Sequence, residues 1–256
     1  MSKPIHATDL LCLTPHSDDA EIALGATLRR LTDRGHTVWV CDLTRGELGS
    51  NATPDERWRE AQAAAEILGL TGRIQLALPD GFVSREDPAQ VGAVTAIIRH
   101  LRPRWIVCAP DPRRHPDHVA TPPLVIKAAY LARLQAYQPA IPELRVYPGT
   151  VELPALAERW EAEAIFTVCP VGETPSLIFD GSDSWAAKEA AIAAFSSQFQ
   201  RQPDRVASKI NDPNWLAKIE RRGRFWGYRA GVVFGEALRA EDAVPIYDDL
   251  PDTRWS

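Results

Sequence analysis

The stretch "TPHSDDAEIALGATLRRL", residues 14–31, joins the apolar run "LLCLTP" to a segment with helical spacing, in which Leu24, Leu28 and Leu31 recur at i, i+4 and i+7. An apolar run followed by a turn and an amphipathic helix is the opening of a βαβ unit. A dinucleotide-binding version of this corner needs glycines, so that backbone amides can approach phosphate. Here His16, Asp18 and Asp19 fill the corner, and paired carboxylates repel phosphate and attract a cation.

The alternation continues along the chain. "TVWVCDL" (37–43), "RIQLAL" (73–78) and "RWIVCAP" (104–110) read as strands. Between them lie helices over 53–68 and roughly 86–102, and another follows Pro116. The second helix carries its own start signals: Thr53 as N-cap, Pro54 at the first helical position and Glu56 to complete a capping box. Strands alternating with helices predict a largely parallel sheet covered on both faces. Beyond about residue 140 the pattern weakens to short strands at "LRVYPG", "AIFTVCP" and "SLIFD", a clear helix at "WAAKEAAIAAF" and another over "DPNWLAKIERRGRFWGYRAG". No linker-like stretch separates this part, so residues 1–256 are expected to form one domain with a C-terminal extension from about residue 140.

The chain has 256 residues and a formal net charge of −5, which gives no basic excess for a nucleic-acid partner. No apolar run is long enough to span a membrane, and the start lacks the features of a secretory signal. Cys12, Cys41, Cys108 and Cys169 lie far apart in apolar runs, as buried free thiols do in a reducing compartment. A cytoplasmic location is expected.

A second cluster, "DPRRHPDH" (111–118), leaves the end of the strand at 104–110 just as "PHSDD" leaves the end of the first strand. Ligands of open α/β sheets bind beyond the carboxyl ends of the strands, so the two clusters are expected to converge. Two histidines and a carboxylate facing each other make a divalent-metal site with open positions. The plainer reading is an Asp helix cap beside surface histidines.

The stretch "PHSDDAEIALGATL" resembles the P-H-P-D-D-x-E-x-x-x-G-G-T-L signature of the LmbE-like (PIG-L) N-acetylglucosaminyl deacetylases, and "RRHPDH" resembles their second motif. The likeness is strongest to the branch acting on N-acetylglucosaminyl-malate in bacillithiol biosynthesis. It extends through "CDLTRGELGSNATPDERWREAQAAAEILGL", "RIQLALPDG", "AAFSSQF" and "FWGYRAGVVFGEA". The resemblance implies a Rossmann-like three-layer αβα sandwich with a mostly parallel sheet. It implies His16, Asp19 and His118 as ligands of Zn2+, with Fe2+ or another divalent ion as substitutes. It also implies Asp18 as general base, His115 as oxyanion partner and Asp117 as the group that orients His115. Arg57 and Arg114 would contact the substrate, and Glu47 and Asn51 belong to the loop 45–51 of the sugar pocket. Arg57 pairing with glutamates on its own helix, and Glu47 as a solvated loop charge, are the structural alternatives. The partner implied is a small GlcNAc conjugate, handled by a homo-oligomer, as in a hexamer.

Ser17, Ala26 and Arg113 depart from the family pattern without removing a ligand. A non-haem Fe(II) oxygenase, a metal-dependent phosphoesterase and a non-catalytic sugar-binding relative are the rival readings. The free Asp18 beside the metal ligands favours a hydrolase, since only a catalyst needs a base there.

Overall fold

The computed structural model describes residues 8–108, 115–150, 158–201, 203, 205–207, 210–212 and 214–244. Strands β1 (Thr8–Thr14), β2 (Val38–Thr44), β3 (Gly72–Leu78) and β4 (Pro103–Cys108) alternate with helices α1 (Asp19–Asp33), α2 (Pro54–Leu68), α3 (Pro88–Leu101) and α4 (Pro116–Ala132). β5 (Leu144–Tyr147), β6 (Ala164–Val168), β7 (Leu177–Asp180), α5 (Trp185–Ala194), α6 (Ser196–Phe199), α7 (Trp215–Ala230) and β8 (Gly235–Ala240) complete the fold. The eight strands form one sheet in the order β5-β3-β2-β1-β4-β6-β8-β7. The five central strands β3, β2, β1, β4 and β6 are parallel; β5 and β8 run antiparallel to their neighbours.

The helix boundaries follow from local chemistry. The Thr53 side chain accepts the Glu56 N–H at 3.2 Å, and Gly69 closes α2 in the left-handed conformation at φ 66°. The reciprocal half of the capping box is replaced, because the Glu56 carboxylate pairs with Arg205 at 2.6 Å.

β1 and β2 are buried on both faces, as parallel central strands must be. Leu11, Leu13, Cys41 and Leu43 pack on the α3–α4 side, whereas Leu10, Cys12, Val38 and Val40 pack toward α1 and α2. All four cysteines are buried, and none is in a disulfide. Among the described residues, no helix is long and apolar enough to cross a membrane.

Of the three short strands read beyond residue 140, β5 and β7 are the sheet edges, whereas β6 lies inside, and β8, unforeseen, separates it from β7. β8 anchors the C-terminal part through Glu236. Its carboxylate accepts from Thr27 N–H at 2.7 Å, Thr27 Oγ1 at 2.6 Å and Ala26 N–H at 3.3 Å, and from Lys188 Nζ. Glu236→Gln is expected to cost about 3–5 kcal/mol in denaturant unfolding, because it strands a buried ammonium.

Burial pulls the Lys188 pKa down to about 8, although Glu236 opposes the shift. Between about pH 8 and its ordinary value of 10.5 the unfolded chain therefore holds more protons than the folded one. Stability from this group rises with pH across that window. Lys188→Met should abolish that part of the rise.

Candidate active site

The chain runs from β1 to β2 and β3 on one side of the sheet, then crosses to β4 on the other. The carboxyl ends of β1 and β4 thus flank a topological switch point, where the splayed loops leave a crevice. His16, Asp18 and Asp19 follow β1 there, and His115, Asp117 and His118 follow β4. The two clusters do converge: the rings of His16 and His115 are 4.8 Å apart, those of His16 and His118 5.5 Å, and those of His115 and His118 5.2 Å.

Asp19 Oδ2 lies 3.2 Å from His16 Nδ1 and 3.4 Å from His118 Nε2, and accepts the His16 backbone N–H at 3.1 Å. On the other edge of the same ring, His16 Nε2 is 3.0 Å from Asp80 Oδ1 and 3.4 Å from Asp117 Oδ2. Three carboxylates therefore surround one buried imidazole. Burial alone would lower the His16 pKa, but Asp117, Asp19 and Asp80 hold it well above its ordinary value. Burial also works against an ionised Asp19, yet His118 and His16 keep its carboxyl far below the usual range. His118 is likewise raised by Asp19 against the pull of burial.

The donor chemistry fits a divalent cation: three imidazoles and several carboxylates, with an excess of negative charge. Among the described residues, two sets of metal-competent donors share His16. One is His16, His115 and His118; the other is His16, Asp80 and Asp117, and the ligand atoms within each set lie within 4.8 Å of one another. The second set is a candidate metal site that includes Asp80, which sequence reasoning left without a role. Its signal was positional, since Asp80 follows β3 as His16 follows β1, but "LPDG" reads as an ordinary turn.

Asp18 occupies the N-cap of α1 without a side-chain capping bond, so the plain helix-cap reading does not describe it. Its Oδ1 is instead 3.3 Å from Arg57 Nη2. Burial pushes the Asp18 carboxyl up, and Arg57 counteracts the shift. Arg57 is itself buried, and it pairs with Asp18 rather than with glutamates of its own helix. Gly46 lets it pass: at φ 64° a Cβ on Gly46 would sit 2.2 Å from Arg57 Nη1.

His115 caps α4, its Nδ1 accepting the Asp117 N–H at 3.2 Å. That bond leaves the proton of a neutral ring on Nε2. Burial lowers the His115 pKa, and the neighbouring His16 and His118 add to the effect. The Asp117 carboxylate, expected to orient His115, is 4.0 Å from its Nδ1 and serves other partners. It accepts the Gly81 and Val83 N–H groups at 2.7 and 3.1 Å and faces His16.

Glu47 Oε1 accepts the Asp80 N–H at 2.9 Å, so this exposed side chain is tied to the site rather than merely solvated. The Asn51 amide clasps the Val206 backbone, accepting at 2.8 Å and donating at 2.9 Å. Arg113 and Arg114 lie outside the described residues.

Beneath the corner, Arg73 is fully buried and donates to Asp42 from Nε and Nη2 at 2.8 and 2.9 Å, to Glu21 at 2.6 Å, to Ala61 O at 3.3 Å and to the Ser17 carbonyl. One guanidinium thus ties β2, β3 and α1 to the peptide preceding Asp18.

The family model "PIG-L: GlcNAc-PI de-N-acetylase" matches residues 11–129. Diacetylchitobiose deacetylase of Thermococcus kodakarensis is 35% identical over 241 residues, covering 90% of this chain and 82% of the relative. A probable N-acetyl-alpha-D-glucosaminyl L-malate deacetylase 2 of Bacillus cereus is 27% identical over 237 residues, covering 86% and 97%. Among solved structures, the conserved protein TT1542 from Thermus thermophilus is similar with a TM-score of 0.75 at 32% identity, covering 97% of this chain and 99% of the other.

Proposed function

The chain belongs to the PIG-L family and is a metal-dependent amide hydrolase, and from that premise we propose that it removes the N-acetyl group of a GlcNAc conjugate, releasing acetate and a free glucosamine amine. The observation that carries this reading is the placement of Asp18 beside the His16–Asp19–His118 cluster at the switch point.

In this reading His16, Asp19 and His118 hold a zinc ion, while Asp80 and Asp117 orient the His16 ring from its opposite edge. The hydrogen bonding supports that division. Both Asp117 oxygens already accept backbone N–H groups, and Asp80 Oδ2 accepts the Leu48 N–H at 3.0 Å. A carboxylate behind a ligating imidazole fixes its tautomer and raises its basicity. When bound, the ion lowers the pKa of water to about 7 and polarises the acetamido carbonyl.

Asp18 takes the proton of the attacking water, and Arg57 holds the carboxylate in place for that role. His115 offers its Nε2–H to the carbonyl oxygen as negative charge develops there. As the C–N bond breaks, the amine needs a proton. Asp18 has just acquired one, whereas a neutral His115 has none to spare, so Asp18 returns it. Glu47, Arg57 and Arg114 contact the sugar or its aglycone, whereas Asn51 braces the pocket loop through Val206.

Within the class, N-acetylglucosaminyl-malate is the leading substrate, which would place the chain in bacillithiol biosynthesis. The likeness to the Bacillus cereus relative across most of both chains supports that choice. The test is acetate release by zinc-loaded protein from N-acetylglucosaminyl-malate, N,N'-diacetylchitobiose and GlcNAc. Turnover of the malate conjugate well above the other two is expected. Comparable rates on all three would discard the malate preference, and no release from any would overturn the deacetylase reading.

A further inference from the structure

Next to the site, a cleft of about 450 Å3 is lined by Arg45, Glu47, Pro54, Asp55, Ala77 and Arg145. Arg45 follows β2 and Ala77 lies near the end of β3, so the cleft opens on the same carboxyl edge of the sheet as His16. Glu47 connects the two places: its carboxylate accepts the Asp80 N–H at 2.9 Å, and Asp80 Oδ1 reaches His16 Nε2 at 3.0 Å.

Arg45 and Arg145 line the cleft, with side chains only 23% and 29% exposed. Their counter-ions are the more exposed partners: Glu143, 2.6 Å from Arg45 Nη2, is 73% exposed, and Asp55, itself part of the cleft lining and 2.8 Å from Arg145 Nη1, is 77% exposed. Ion pairs with such exposed partners are weak and readily exchanged. The Arg45 Nε is buried without any hydrogen-bond acceptor, so the pairing with Glu143 does not use the full donor capacity of this guanidinium. The positive end of α2, at Pro54 and Asp55, adds to the same field.

We propose that Arg45 and Arg145 form an oxyanion subsite that receives the acidic aglycone of the substrate, its carboxylate or phosphate lying against the two guanidinium groups while the acetamido group lies at the histidine cluster. This assignment rests on the deacetylase reading and deepens it. Planar guanidinium forks suit both carboxylate and phosphate, so the shared chemistry is that of a tetrahedral or planar oxyanion.

The experiment compares kcat/KM for acetate release from N-acetylglucosaminyl-malate, GlcNAc 1-phosphate and the neutral methyl glycoside of GlcNAc, in wild type and in Arg145→Gln and Arg45→Gln. Each variant is expected to reduce the acidic-to-neutral ratio of kcat/KM about tenfold, mainly through KM. Added salt should raise KM for the acidic substrates more than for the neutral one. The larger loss, on the malate conjugate or on the phosphate, identifies which oxyanion the subsite takes. An unchanged ratio in both variants overturns the subsite. Should wild type turn over none of the three, the deacetylase reading fails separately, and calorimetric titration with malate and with inorganic phosphate decides the subsite. Binding weakened in the variants upholds it; binding equal in all, or absent from wild type, overturns it.

Discussion

Asp18→Ala is expected to lower the rate of acetate release about 10²–10⁴-fold, the range over which a positioned general base acts, while the metal content stays near that of wild type. The geometry separates these two effects. Asp19 makes the contacts with His16 and His118, at 3.2 and 3.4 Å, whereas the ion-pair partner of Asp18 is Arg57. The Asp18 side chain makes no capping bond to α1, so its removal does not unravel the helix start. Burial lifts its pKa from the ordinary carboxylate value toward that of a useful base, and the nearby Arg57 opposes that rise. Elemental analysis alongside kcat reads both quantities in one preparation. Full activity in the variant would remove Asp18 from the mechanism, and loss of the metal would make it a ligand.

Arg73→Met is expected to destabilise the protein by about 3–5 kcal/mol, read as a lowered denaturant midpoint, because it leaves acids buried without their cation. Asp42 and Glu21 are both fully buried, and both depend on this guanidinium. Glu21 is already costly: burial pushes its pKa up to about 7 despite Arg73, and its Oε2 has no hydrogen-bond partner. A native domain has roughly 5–15 kcal/mol of stability, so a loss of this size threatens folding. A triple change, Arg73→Met with Glu21→Leu and Asp42→Leu, should regain much of the stability, since apolar side chains can replace a buried ion network. It should not regain full activity, because Arg73 also donates to the Ser17 carbonyl beside the proposed base. A single variant as stable as wild type would show that the network carries little of the fold.

The parts of the fold that could be read from sequence are those set by neighbours along the chain. The spacing of Leu24, Leu28 and Leu31 and the Thr53 cap are local signals, and each gives the element expected of it. β8 was not legible because Glu236 and Arg239 interrupt a strand with few apolar residues, and because Glu236 is satisfied by α1 and α5 some 209 and 48 residues away. The position of β6 inside the sheet depends on that same unseen strand.

In the site, the convergence of residues 16–19 with 115–118 follows from strand direction alone. The assignments within it do not. The resemblance gives Asp117 the task of orienting His115; its backbone N–H reaches the His115 ring, while its carboxylate is taken by Gly81, Val83 and His16 across the crevice. Asp80 escaped notice because its value lies in a contact 64 residues distant. Arg57 is on a helix with glutamates close by, but the glycine at 46 opens a path to Asp18 that no helical spacing reveals.

The most direct measurement is a titration of zinc into chelator-stripped protein, following bound metal and acetate release from a GlcNAc conjugate together, in wild type and in His118→Ala. The account predicts that in wild type both rise together and saturate near one ion per chain. It predicts that His118→Ala needs far more zinc for either. Acetate release that is undiminished in the stripped protein, or wild-type zinc affinity in His118→Ala, would contradict it.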